Sequence, residues 1–172
     1  MSASGGEGVL ITGVYGAGKS SVAVEMCTLL EGQQRPFALL DLDYFGWGGA
    51  DFSSHEASYF LMLRNLAAVA ANYREAGVGT FVAARFVRDQ DALRSIREAV
   101  GVPLRVVRLT VPLEAIQQRL ALDPTAERAE DLRKATAQIA SSVGVGIEDL
   151  VVANDRPIGV VAAEIMRWLG WM

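Results

Sequence analysis

The chain has 172 residues, 51% of them hydrophobic and 21% charged, with a formal net charge of −4. That length fits one domain with a buried core, the mild acidity gives no support for nucleic-acid binding, and a single cysteine, Cys27, excludes an internal disulfide. No apolar run reaches membrane-spanning length, because Arg64 and Asn65 interrupt the longest helical candidate, and Met1 to Gly8 carries no basic start; a soluble, cytoplasmic protein is expected. In chain order, Gly8–Thr12 reads as a buried strand and Lys19–Glu31 as a helix. Phe37–Leu42 is a second strand, followed by a long helix over Ser54–Ala76 with Phe60, Leu63, Ala67 and Ala71 at helical spacing. Thr80–Ala84 is the third strand, and Asp89–Val100 a helix with an acidic start. Leu104–Thr110 is the fourth strand, Pro112–Leu122 a helix opening on proline, and Thr125–Ser142 a further helix. Gly144-Val145-Gly146 marks a turn before the last strand, Leu150–Ala153, and Pro157–Leu169 closes the chain as a helix. The strands are nearly continuous in apolar residues, as parallel strands covered on both faces are. The alternation therefore predicts a single α/β domain over residues 1–172 with a parallel sheet and right-handed crossovers.

The segment Gly13-Val14-Tyr15-Gly16-Ala17-Gly18-Lys19-Ser20 matches G-x-x-x-x-G-K-[S/T], between a strand and a helix where that motif works. Its glycines let successive backbone N–H groups converge on an anion, and the helix N-terminus adds partial positive charge. Gly13, Tyr15, Gly16, Ala17, Gly18, Lys19, Ser20 and Ser21 are thus candidates to hold a nucleoside triphosphate. Lys19 would reach the outer phosphates and Ser20 would bind Mg²⁺. ATP and Mg²⁺ are the expected cofactors, and no Asn-Lys-x-Asp guanine-reading stretch is present. A chance glycine-rich turn is the alternative.

Leu39-Leu40-Asp41-Leu42-Asp43-Tyr44 ends the second strand. Two carboxylates two residues apart on a strand point the same way, and at the carboxyl edge of a parallel sheet they face the ligand crevice. Asp41 and Asp43 are therefore expected near the γ-phosphate, unless they cap a solvent-exposed loop.

With these residues in view, the chain resembles the small-molecule kinases of the nucleoside-monophosphate-kinase-like group, with shikimate, gluconate and adenylylsulfate kinases as small relatives. The resemblance implies the P-loop NTPase fold, a sheet order of 2-3-1-4-5 and a short lid at about residues 120–135. It implies that Asp41 helps to hold Mg²⁺ and that Asp43 meets the acceptor hydroxyl. It implies adenine stacking on Arg119, lid arginines at Arg128 and more weakly Arg133, and an adenine wall formed by Asn154-Asp155-Arg156-Pro157. An arginine answering a helix dipole, and a plain turn before a helix, are the alternatives for these last segments. The chain also departs from the group. Strand three ends Ala84-Arg85-Phe86, without the acid that many phosphate-loop proteins use for Mg²⁺, so Asp41 would carry that role. Adenylylsulfate kinases carry Asp-Gly-Asp-Asn where this chain has Asp41-Leu42-Asp43-Tyr44.

On the acceptor side, Arg85 suggests an anionic or strongly polar substrate, and Arg64 on the long helix either binds an acidic group or faces solvent. Tyr44-Phe45-Gly46-Trp47 either shapes an acceptor pocket or pins a loop. His55 is expected at the surface, and Trp168 and Trp171 in packing. The expected function is transfer of the ATP γ-phosphate to a hydroxyl of a small molecule, with Lys19, Asp43 and Arg128 as catalytic residues. A nucleotide-binding regulatory switch or ATPase is the alternative. The expected partner is the phosphoryl acceptor, with no nucleic acid and no membrane, in a monomer or homodimer.

Overall fold

The computed structural model describes residues 5–48, 55–121 and 126–172, the side chains of 119–121 and 126–128 excepted. Five strands, β1 (Glu7–Thr12), β2 (Phe37–Asp41), β3 (Thr80–Ala84), β4 (Leu104–Thr110) and β5 (Leu150–Ala153), form one parallel sheet in the order β2-β3-β1-β4-β5. Six helices connect or follow them: α1 (Lys19–Gly32), α2 (His55–Glu75), α3 (Gln90–Val100), α4 (Leu113–Ala121), α5 (Ala126–Ser141) and α6 (Ile158–Leu169). The order and the parallel pairing are those expected.

The central strand shows why the runs are apolar throughout. Val9 and Ile11 face one core, with Val22, Met26 and Leu30 of α1 and Ile165 of α6. Leu10, one residue out of phase, faces the other, with Leu66 of α2 and Leu93 and Ile96 of α3. Period-two alternation sends successive side chains to opposite faces, so a sheet covered on both sides needs apolar residues at every position. Cys27 lies in the first core, where burial pushes its thiol up to about 12. Trp171 is buried there too, with the Arg35 guanidinium 5.0 Å from its ring centroid. Trp168 packs against the same cluster, so both tryptophans are packing residues.

Local chemistry sets the helix ends. The Asp89 side chain accepts from the Ala92 N–H at 2.9 Å and opens α3, and Gly101 closes it at φ 71°. α1 begins differently: it follows Gly18 with no side-chain cap and no acidic residue in its first turn. Its first N–H groups are left to whatever anion arrives.

The second strand ends at Asp41, one residue short of the expected boundary, and Asp43 lies in the following turn. The Asp41 carboxylate accepts from the Asp43 N–H at 3.3 Å, a local bond that competes with strand continuation. The turn, rather than a shared strand face, brings the two acids together.

The carboxyl edge is cross-braced. Asn154, buried after β5, donates from Nδ2 to the Ala17 carbonyl at 2.8 Å, and its N–H bonds Thr110 at 2.9 Å. Replacing Asn154 by Ala leaves the Ala17 carbonyl without this donor and should cost about 1–3 kcal/mol, read as a lowered midpoint in urea unfolding. An unchanged midpoint would show that Asn154 does not brace the loop.

Candidate active site

The loop from Gly13 to Gly18 wraps around an anion-sized hollow because its backbone takes turns that only glycine makes freely. Gly13 stands at φ 145°, and a Cβ there would lie 2.7 Å from the Leu109 carbonyl oxygen of β4. Gly18 takes φ 87° just before α1. Lys19, the first residue of α1, is almost wholly buried at 9% exposure. Its ammonium donates to the Val14 carbonyl at 3.1 Å and sits 5.4 Å from the centre of the Tyr15 ring. Burial lowers its pKa; Asp43, Asp41 and Asp131 work against that, and Arg85 reinforces it. A desolvated cation at the mouth of a backbone nest is a strong partner for a phosphate chain.

The Ser20 hydroxyl donates to Asp41 Oδ2 at 2.7 Å. This pair joins the start of α1 to the end of β2. Two hard oxygen ligands side by side suit Mg²⁺, which takes its remaining positions from water and phosphate. Among the described residues no group of three or more His, Cys, Asp or Glu would cage a metal with protein ligands alone. The donor set therefore fits a cation that arrives with a nucleotide. Asp41 is in register with Ala84, the last residue of β3, so its carboxylate stands beside the strand end that lacks an acid.

Asp43 forms an ion pair with Arg85 Nη1 at 3.0 Å, and the same nitrogen donates to the Leu42 carbonyl at 3.3 Å. The Asp43 side chain is half-exposed and lines a crevice. Desolvation there pushes its carboxyl above the ordinary carboxylate range; Arg85 and then Lys19 pull it back, and Asp41 pushes it up again. A carboxylate whose proton affinity is raised while it stays reachable is suited to holding a hydroxyl proton.

Lys19, Ser20, Asp43 and Arg85 line one crevice of about 740 Å³. Tyr15, Gly16, Gly18, Ser20 and Ser21 form its phosphate end, and Tyr44, Trp47, His55 and Tyr59 its far end. His55 is exposed at the start of α2, as expected, but it borders this crevice. Arg64 is exposed on α2 and is not part of the lining. The side chains of Arg119 and Arg128 lie outside the described residues, as do residues 122–125 of the expected lid. Arg133 forms an ion pair with Glu130 on its own helix. Pro157 is exposed and stands at the start of α6, beyond β5.

Three contributors escaped the sequence reading. Gln138 of α5 accepts the Tyr15 N–H at 3.1 Å, and Lys134 sits 5.2 Å from the Tyr15 ring centre. Asp131, one helical turn before Lys134, borders the crevice. Their spacing on α5 placed all three on one face, but nothing local said that this face meets the phosphate loop.

Comparisons with known proteins agree with this geometry. The family model described as adenylylsulphate kinase matches residues 5–138. The chain belongs to the adenylylsulphate kinase family. This protein is therefore an ATP-dependent small-molecule kinase. No curated protein matches the kinase's sequence. Among solved structures, an unliganded sugar kinase from Janibacter sp. superposes with a TM-score of 0.68 at 20% identity, covering 96% of this chain and 95% of that one. The Mycobacterium tuberculosis APS kinase in complex with AMPPNP and APS gives 0.66 at 24% identity, over 96% and 98% of the two chains. Shikimate kinase from Acinetobacter baumannii, in complex with shikimate, gives 0.63 at 18% identity, over 96% and 93%. The shared architecture is that of the P-loop kinases.

The burial of Lys19 yields a test in which stability and binding move in opposite directions. Lys19→Met removes a desolvated charge and keeps the apolar stem, so the variant should be more stable by about 1–2 kcal/mol at neutral pH. It should also bind ATP far more weakly in calorimetry. A variant that keeps its ATP affinity would remove Lys19 from the phosphate site.

Proposed function

We propose that the kinase transfers the γ-phosphoryl group of ATP to a hydroxyl of a small, polar acceptor seated in the crevice beside Asp43. The observation that carries this reading is the placement of Asp43. It pairs with Arg85 at 3.0 Å, and in the same crevice lie Lys19 and Ser20, the latter bonded to Asp41.

The backbone N–H groups of Gly18 to Ser21 and the Lys19 ammonium would hold the phosphate chain, with Gly13, Tyr15, Gly16 and Ala17 shaping the loop around it. Ser20 and Asp41 would hold Mg²⁺, with Arg119 and Pro157 on the adenine side and Arg128 reaching the phosphates from α5. When bound, Mg²⁺ supplies neutralisation of the charge on the β- and γ-oxygens. Asp43 accepts the acceptor's hydroxyl proton and orients its oxygen at phosphorus. The new O–P bond forms as the bond to ADP breaks, and the proton remains on Asp43 until solvent takes it. Arg85 holds the Asp43 carboxylate in place through its Nη1 contacts with Asp43 and the Leu42 carbonyl. The work of the protein is positioning and charge stabilisation, which is what phosphoryl transfer needs. The pair of acids, Asp41 and Asp43, favours transfer to a hydroxyl over a regulatory switch, and Asp41 lies in register with Ala84 at the bare end of β3.

Asp43→Asn should lower turnover about 10²–10⁴-fold with ATP affinity nearly unchanged. Normal turnover in that variant would remove Asp43 from the chemistry. The pH profile gives a second check. Asp43 works as the carboxylate, so activity falls as pH drops through its pKa, and that limb lies above the ordinary carboxylate range because desolvation raises it. Arg85 is the largest influence holding this pKa down, so Arg85→Ala should move the acid limb of kcat/KM to higher pH. A limb that stays put or moves lower would mean that another group titrates.

A further inference from the structure

The far end of the crevice points to a class of acceptor. Tyr44 and Trp47 follow Asp43 in the turn after β2, and their rings are 64% and 76% exposed. The centroids are 5.9 Å apart with the planes tilted by 40°. These two rings do not hold the turn, because their neighbours do. Phe45 packs into the core under α2, and its carbonyl accepts from Asn65 Nδ2 at 2.6 Å. Gly46 presses so closely on α2 that a Cβ would lie 2.5 Å from the Ser58 carbonyl oxygen. With the turn fixed by Phe45, Gly46 and Asn65, two large exposed rings stand at the rim of the crevice and, among the described residues, make ring contact only with each other. Aromatic faces left so exposed mark a surface for a ligand.

The charge in the crevice narrows what that ligand is. Among the described residues lining it, the cations are Lys19 and Arg85, and the carboxylates are Asp43 and Asp131. Lys19 is turned to the phosphate loop through the Val14 carbonyl, and Arg85 is paired with Asp43. An acceptor that brought its own anion would enter beside Asp43 and the phosphates of ATP, where Arg85 already commits its Nη1 to Asp43 and the Leu42 carbonyl. Like charges at such range repel, so an uncharged acceptor fits better. Hydroxyl-bearing and imidazole side chains complete the far end: His55, Ser58 and Tyr59.

We propose that the acceptor is an uncharged, ring-shaped polyol, of saccharide chemistry. It lays a C–H face on Trp47 or Tyr44 and presents one hydroxyl to Asp43. Of the two acceptor types that Arg85 allows, anionic or strongly polar, this selects the second. The assignment rests on the kinase reading above, and it separates this chain from the substrate after which its family is named.

The test is acceptor-dependent ADP release by the full chain with Mg·ATP, in two arms. One arm holds neutral sugars and cyclic polyols. The other holds the same rings carrying a carboxylate or phosphate, together with adenylylsulphate and free nucleosides. The expected result is release driven by a member of the neutral arm, with kcat/KM at least about ten-fold above its charged counterpart. Trp47→Ala should then raise the acceptor KM about ten-fold, with the ATP KM unchanged and Trp47→Phe restoring most of the loss. Preference for a charged ring, adenylylsulphate or a nucleoside overturns this proposal and leaves the kinase reading standing. Tight ATP binding with no release in either arm overturns both. An acceptor KM indifferent to Trp47→Ala and to Tyr44→Ala overturns the stacking role.

Discussion

A lysine at 9% exposure is a charge held out of water, and the architecture around Lys19 follows from that. A desolvated ammonium is costly unless it has partners, and it loses its proton readily without them. Here the partners are a loop carbonyl, an aromatic ring and carboxylates from two other elements. They can converge on Lys19 only because the parallel sheet brings the ends of β1 and β2 to one edge. The glycine loop lets the backbone turn tightly enough to leave the ammonium beside its own N–H groups. Asn154, arriving from beyond β5, ties that loop down through Ala17. Once the lysine is placed, a polyanion is the natural occupant, since it supplies the charge that water no longer does.

The same edge concentrates metal and acceptor chemistry on one short turn. In this chain β3 ends without an acid, and the carboxylate that meets Ser20 comes from β2, in register with Ala84. Asp43 follows two residues later and is bonded to Asp41 through its own N–H. A change at Asp41 would therefore disturb both its bond to Ser20 and the placement of Asp43. Arg85 ties the end of β3 to this turn, so three adjacent strand ends act as one frame. Such a frame suits a reaction in which catalysis is mainly placement.

The fold was legible because its signals are local or periodic. Continuous apolar strands, an uninterrupted α/β alternation and a phosphate loop of full length admit few architectures, and the boundaries fall within a residue or two of those read from the chain. Ser20 was legible through the loop motif and the part of Asp41 through the resemblance, and the two meet at 2.7 Å. Asp43 was legible as a residue but not as a geometry. Strand periodicity assigns it a face, while the hydrogen bond from its N–H to Asp41 ends the strand and sets it in a turn. Asn154 was read as part of an adenine wall or a plain turn, not as a brace, because its bond reaches a carbonyl 137 residues away. The partners of Tyr15 on α5 were hidden for the same reason, lying 123 residues off in the case of Gln138. A motif names the residues that touch the ligand; the ones that brace the motif depend on tertiary packing, which one sequence does not display.

Tyr15 shows how an unspecified motif position acquires a structural job. It stands third in the phosphate loop, where the pattern allows any residue. Its ring lies 5.4 Å from the Lys19 ammonium and 5.2 Å from that of Lys134, so one aromatic group answers two cations. A desolvated cation over a ring gains on the order of 1–2 kcal/mol, which offsets part of the cost of keeping Lys19 dry. Its backbone N–H is meanwhile taken by Gln138, which fixes α5 against the loop. The helix that overlaps the expected lid region is thus anchored on the residue whose ring also faces the Lys19 ammonium. A polar side chain at position 15 could accept one hydrogen bond from Lys19, but it could not present a face to Lys19 and Lys134 together. The identity of this residue therefore links the charge that receives the phosphates to the helix that borders them.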